Sequence, residues 1–261
     1  MSRRDDLDHL YEQSNTLQNM ALFFFWVNMI VGVASAFLPS EEIYLKIEGI
    51  TQGISAALFL ALTLFDDCIC WYNAEAERRK TDVENAFGVT LGELTTQEYY
   101  NNSLPSSISK FALNAMESSF FSKHIAQKMV VKSCIKALFA IIVMIVSAFV
   151  VSDPSILLII IQAALTTYFI EDAVKLLRYI NLVKSIYDAL FKSFITIGIS
   201  NKEQETNAFM SALEYETVKA HFKIRLDSKV FKKSNEMLSG KWNELLKQVR
   251  VPLYSERGEQ E

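Results

Sequence analysis

At 261 residues the chain is long enough for one or two ordinary domains, with 51% hydrophobic and 21% charged residues. The apolar residues gather in four runs separated by polar, charge-rich stretches, which excludes disorder, a collagen-like fibre and a disulfide-stapled module. A formal net charge of −4 leaves no global basic excess of the kind that advertises nucleic-acid binding.

Residues 1–19 read as a polar cytoplasmic helix that leads into the first run, MALFFFWVNMIVGVASAFL, from Met20 to Leu38. The second run, Gly49 to Phe65, continues through Asp66 and Asp67 into CICWY. A helix crosses a hydrocarbon core of about 30 Å with roughly 17–25 mostly apolar residues. Together the two runs predict a transmembrane hairpin over 20–71, joined by PSEEIYLKIE. The Ala34-Ser35-Ala36 sequence resembles a signal-peptidase site, but acidic residues precede it and a second apolar run follows, so no cleaved signal is expected.

Residues 72–133 form a cytoplasmic helical segment. It opens with WYNAEAERRKTDVENAF, which extends the second span, passes through a looser stretch around Gly88, Gly92 and Pro105, and regains a helical period from Ile108 to Lys132. A second hairpin is predicted over 134–171. Its runs, Cys134 to Val151 and Ser155 to Ile170, are joined by Ser152-Asp153-Pro154, with Pro154 at a tolerated first helical turn.

Residues 172–261 are a cytoplasmic helical region. Its amphipathic stripe comprises Leu176, Leu177, Ile180, Val183, Tyr187, Leu190, Phe191 and Phe194, and it must pack on the middle segment, another subunit or the membrane surface. A helix is expected from Asn201 to about Leu226, then a basic stretch, then a closing helix for which Ser239 is the N-cap.

The expected fold is therefore all-α, an integral membrane protein with four transmembrane helices and a helical cytoplasmic domain. Lys46 is the one basic residue in a hairpin loop, while Arg78, Arg79, Lys80, Lys128, Lys132, Lys175 and Arg178 flank the opposite ends. The positive-inside rule then places both termini in the cytoplasm. Three cysteines, Cys68, Cys70 and Cys134, fit a reducing face better than a disulfide framework.

Polar residues at membrane depth are the pore-lining candidates: Asn28, Gln52, Ser55, Gln162 and Thr166, with Asp66 and Glu171 at the inner mouth. They either hydrogen-bond across the bundle or line a path that opens in an oligomer. Small residues every fourth position, Gly49, Gly53, Ala57 and Ala61, form a packing lane, matched on the first span by Asn28, Gly32 and Ala36. It serves either the first hairpin or a contact between subunits. Arg78, Arg79, Lys80, Lys223 and Arg225 are candidates for an anionic ligand or lipid, with membrane orientation and a solvated helix face as the plainer readings. No phosphate loop, nucleophile constellation or metal-ligand spacing is present in the sequence, so no enzyme, cofactor or metal is expected.

The strings ERRKTDVENAFG and YYNN, and the pattern Tyr215-Glu216, Ser228-Lys229-Val230-Phe231, Leu238-Ser239 and Trp242, resemble bacterial four-pass membrane proteins associated with anti-phage defence. That resemblance implies a homo-oligomeric effector that forms pores or disrupts the membrane. It also implies control by a nucleotide second messenger or a soluble cytoplasmic partner. The alternative function is a non-conducting scaffold that holds a partner at the bilayer.

Overall fold

The computed structural model describes residues 4–34, 41–94, 96–97, 99–100, 102–150 and 156–251, with side chains left out at 4–5, 33, 97, 143, 146–150 and 156–166. Among the described residues the chain is all-helical apart from two two-residue strands, Arg4–Asp5 and Thr96–Gln97. The helices are α1 (Asp8–Ala34), α2 (Glu42–Phe65), α3 (Trp71–Phe87), α4 (Ile108–Val150), α5 (Ile156–Phe191), α6 (Lys202–Phe222) and α7 (Ser228–Leu246).

Between α2 and α3 the helix does not stop. Residues Asp66–Cys70 form a π-helical turn, in which the Trp71 N–H donates to the Asp66 carbonyl, so Glu42–Phe87 is one helical run of 46 residues. Among the described residues it is the one helix long and apolar enough to cross a membrane, and only 11% of its most apolar window is buried. A second π turn, Lys192–Ile197, ends α5 at Gly198. Gly198 has φ +82, and a Cβ there would lie 3.1 Å from the Cβ of Arg250, so a side chain would be strained by the backbone and crowded by Arg250. The closeness has a purpose. Arg250 N–H donates to the Phe194 carbonyl at 2.9 Å and Ile199 N–H to the Arg250 carbonyl at 3.0 Å, which ties the end of α7 to the end of α5.

The chain divides into two units. One comprises Asp5–Arg78 and Val131–Val174. Its buried apolar cluster is small: Phe25, Met29, Ala137, Ala140, Phe169 and Ala173, with Leu22, Phe59 and Tyr168 against it. Phe25 stacks edge-on to Phe169 at 4.8 Å and lies 5.9 Å from Phe59, which meets Tyr168 at 5.4 Å. These rings join α1, α2 and the adjoining parts of α4 and α5.

The other unit comprises Met1–Arg4, Arg79–Val130 and Lys175–Glu261. Its core is large and continuous, running from Phe111, Met116 and Phe120 on α4 through Leu176, Val183 and Leu190 on α5 to Tyr215 on α6 and Trp242 on α7. The stripe expected after residue 172 is buried here, against the middle segment and the C-terminal helices. Leu177 is the exception: it stands 44% exposed on the far side of α5, and Phe191 is only partly buried.

Three helix boundaries depart from expectation. α2 starts at Glu42, inside the stretch PSEEIYLKIE read as a connection, so Lys46 lies in a helix, paired with Glu42 at 2.7 Å. α6 begins where foreseen, with the Asn201 side chain accepting from Gln204 N–H, but ends at Phe222 because Lys223 adopts a left-handed conformation at φ 51. Ser239 is not an N-cap. α7 starts eleven residues earlier, capped by Asp227, whose carboxylate accepts from the N–H groups of Lys229 and Val230. Ser234, Leu238 and Trp242, one helical turn apart, carry a single buried face through Ser239 and Gly240. A serine followed by glycine imitated a helix start inside a helix.

Candidate functional site

In the unit of Asp5–Arg78 and Val131–Val174, polar side chains are buried and pair with one another. Asn28 Nδ2 donates to the Gln52 carbonyl at 2.9 Å and to Ser55 Oγ at 3.1 Å, while Ser55 Oγ donates to the same carbonyl and Gln52 Nε2 to Glu48. These bonds lie within the single chain, between α1 and α2. Lower in α2, the buried Asp66 accepts from the buried Ser14 Oγ at 2.6 Å, at the start of the π turn. Tyr11 donates to Glu75 at 2.9 Å, and the Arg78 guanidinium lies 5.5 Å from the centre of the Tyr11 ring. Ser133 Oγ donates to Asp172 at 3.2 Å, and Glu171 is exposed beside it. Gln162 and Thr166 lie in α5, but their side chains fall outside the described ones, as do Ala36 and the Ser152-Asp153-Pro154 connection.

The small-residue lane is not the contact of the first hairpin. Gly49, Gly53, Ala57 and Ala61 are exposed, and a Cβ added at Gly49 or Gly53 would meet nothing within 4 Å. α1 packs instead on the Gln52 and Ser55 face, where Gly32 is buried. The reading of the lane as intrachain packing is corrected on this point.

The other unit holds a buried ionic and hydrogen-bonded network. Asp82, near the end of α3, accepts from Tyr100 Oη at 2.8 Å and lies 3.7 Å from Lys219 Nζ on α6. Lys219 also pairs with Glu216 at 2.8 Å. Tyr100 reaches Ser118 on α4 at 3.2 Å, and Tyr215 Oη meets Ser122 Oγ at 2.8 Å. A chain of amides runs alongside: Asn102 Nδ2 donates to Asn114, whose own Nδ2 donates to Asn85. Burial raises the Tyr100 hydroxyl well above its ordinary pKa, with Asp82 and Tyr99 adding to the shift. Burial does the same to Tyr215, aided by Tyr179 and opposed by Lys219. Both phenols are therefore neutral hydrogen-bonding groups at any physiological pH.

Glu216 is shared with a groove of about 600 Å³ on the surface, lined by Arg79, Leu213, Thr217, Ala220 and His221 besides itself. The five α6 residues recur at the three- and four-residue spacings of one helix face, with Arg79 supplied by α3. Of the other basic candidates, Lys80 and Lys223 are exposed and Arg225 is half-buried in the loop between α6 and α7. The groove and network together use ERRKTDVENAFG (Arg79, Asp82, Asn85), YYNN (Tyr100, Asn102) and Tyr215-Glu216, strings far apart in the chain. Asp82, Tyr100 and Lys219 were missed as a set because nothing local links an acid on one helix to a lysine on another. Trp242, from the same group of strings, is fully buried with no acceptor for its indole N–H among the described residues.

Among the described residues no cluster of three or more His, Cys, Asp or Glu could hold a metal ion. Cys68 and Cys134 are exposed, Cys70 is half-buried, and all three are free thiols. No protein-family model, no curated protein and no solved structure matches the chain.

Proposed function

We propose that this chain is an oligomeric membrane effector of the bacterial inner membrane, crossing it four times as two hairpins with both termini in the cytoplasm. The observation that carries this reading is an inverted unit. Within Asp5–Arg78 and Val131–Val174, Ser14, Asn28, Gln52, Ser55, Asp66 and Ser133 are buried, while large apolar side chains face outward. Phe23, Ile30, Ile50, Ile54, Leu64, Val131, Ile135 and Leu138 are each more than half exposed. In water such a surface would cost roughly 25 cal/mol for every Å² of apolar area left solvated. In hydrocarbon it costs nothing, and the buried polar groups are what lipid cannot solvate.

The exposed lane of Gly49, Gly53, Ala57 and Ala61 supports self-association, since it lets another backbone approach closely. The helical unit with its groove at Arg79, Glu216 and His221 is the part that receives the trigger, a nucleotide second messenger or a soluble partner. On that trigger the bundle forms a pore or disrupts the bilayer, in keeping with the resemblance to defence-associated membrane proteins. A scaffold that conducts nothing is the second reading, favoured by the hydrogen bonds that already satisfy Asn28 and Ser55 within one chain.

Induced expression in bacterial cells, followed by a potential-sensitive dye, separates the two readings. Loss of membrane potential and growth arrest once the trigger is present support the effector. An undisturbed potential with a partner co-purifying at fixed stoichiometry supports the scaffold.

A further inference from the structure

Two helices of the C-terminal unit bring three basic side chains to one seam, none of them in an ion pair among the described residues. On α4, His124 and Lys128 are four residues apart and share a face. Lys128 Nζ donates to Ser234 Oγ of α7 at 2.8 Å, and one turn before His124 the Phe120 ring lies 5.9 Å from that of Trp242. These two contacts fix an antiparallel packing: Phe120 opposes Trp242 and Lys128 opposes Ser234, so His124 opposes Leu238, about one turn from Lys241, whose charge acts on it. Lys128 and Lys241 are exposed, and Gly240 next to Lys241 has open space where a Cβ would be.

The imidazole has one nitrogen committed. His124 Nδ1 lies 2.8 Å from the Phe120 carbonyl, which can only accept, so Nδ1 carries a proton and Nε2 is the second nitrogen. Burial lowers the pKa of His124, and the charges of Lys123, Lys241 and Lys128 lower it further, opposed by the hydrogen bond to Phe120. Lys123 itself is turned away, 3.7 Å over the Tyr187 ring, where Asp188 and Lys184 of α5 act on it. It contributes field and not a ligand. Among the described residues no carboxylate pairs with these groups, so the seam concentrates positive charge.

We propose that this seam is a phosphate-binding site, in which His124, Lys128 and Lys241 hold a phosphomonoester or pyrophosphate group. Two ammonium groups and an imidazole from two helices suit a dianion with several acceptor oxygens, and a singly charged ion would leave one of them unmatched. Occupancy would also reverse the electrostatics of His124: a dianion favours the imidazolium, so binding takes up a proton at Nε2. The ligand chemistry is the same whether the phosphate is free in solution or is the headgroup of a lipid. The site is separate from the groove at Arg79 and Glu216 and does not depend on the membrane reading.

The test uses the full-length protein in a neutral detergent, with thermal unfolding followed by tryptophan emission. Sodium pyrophosphate is titrated against sodium chloride of equal ionic strength, and mixed micelles carrying phosphatidic acid are compared with phosphatidylcholine. Free-phosphate binding gives a saturable rise in Tm with pyrophosphate. Headgroup binding gives the rise with phosphatidic acid alone. In either case Lys128→Gln and Lys241→Gln each weaken the apparent affinity by about tenfold or more. Binding to the wild type tightens as pH falls through the imidazole range beyond what His124→Gln shows, which controls for protonation of the phosphate. The proposal is overturned if neither probe gives a saturable shift, or if the shift survives unchanged in both lysine variants.

Discussion

Replacing Lys219 by Met removes the cation held between two carboxylates in the core of the helical unit. Its Nζ is 2.8 Å from Glu216 and 3.7 Å from Asp82, with the side chains of Lys219, Asp82 and Glu216 only 17%, 8% and 14% exposed. Removing one partner of a buried pair costs about 3–5 kcal/mol, because a desolvated charge is left uncompensated. The residual exposure here argues for the lower end, about 3 kcal/mol. For a domain of this size each kcal/mol shifts Tm by about 2–4 °C, so the expected fall is about 6–12 °C. Thermal unfolding of the full-length protein in detergent, read by tryptophan emission and circular dichroism, measures it. Asp82→Asn in the Lys219→Met background should recover part of the loss, since contacting residues couple. A fall of less than about 2 °C, or strictly additive single and double variants, would show that the pair is screened and that the network does not hold α3 to α6.

Other consequences follow from single contacts. Asp227→Ala should cost about 1 kcal/mol through loss of the α7 cap, whereas Ser239→Ala should stay within about 0.5 kcal/mol, both by chemical denaturation. His124 is held below the 6.5 of a free imidazole by burial first and by three lysines second. The unfolded chain thus binds a proton the folded chain does not, and the contribution of His124 is present above about pH 6.5 and lost as pH falls through the folded pKa. His124→Gln should flatten the stability profile as pH falls below about 6.5. Gly53→Leu should leave the Tm of the chain within about 2 °C, because a Cβ at this exposed position meets no described atom within 4 Å, yet reduce the size of the detergent-solubilised particle. Unchanged size would assign the lane to lipid alone.

The long helices were legible because their signal is local. The apolar stripe from Leu176 to Phe194 states its period over many turns, and the run from Glu42 to Phe87 has no breaker between its apolar and polar halves. The π turn at Asp66–Cys70 was not legible, since an extra residue in a turn leaves no mark on composition. Caps divided on the same ground. Asn201 precedes a clear helix, but Asp227 sits in a basic stretch that obscures the start of α7. The Gly49 to Ala61 lane was visible as spacing, while the side of α2 facing α1 depends on Asn28 finding Gln52 and Ser55, a tertiary choice. Asp82, Tyr100 and Lys219 were each unremarkable in the sequence, and so were His124, Lys128 and Lys241. Only the packing of α3 against α6, and of α4 against α7, assembles them.

Cysteine accessibility tests the membrane placement most directly. Cys68, Cys70 and Cys134 are replaced by Ser, a single cysteine is introduced as Lys46→Cys or Lys233→Cys, and intact cells are treated with a membrane-impermeant maleimide. With the start of α2 outside and the helical unit inside, Lys46→Cys labels in intact cells and Lys233→Cys only after permeabilisation. Labelling of Lys233→Cys in intact cells, or recovery of the protein in the supernatant after detergent-free ultracentrifugation, would contradict it.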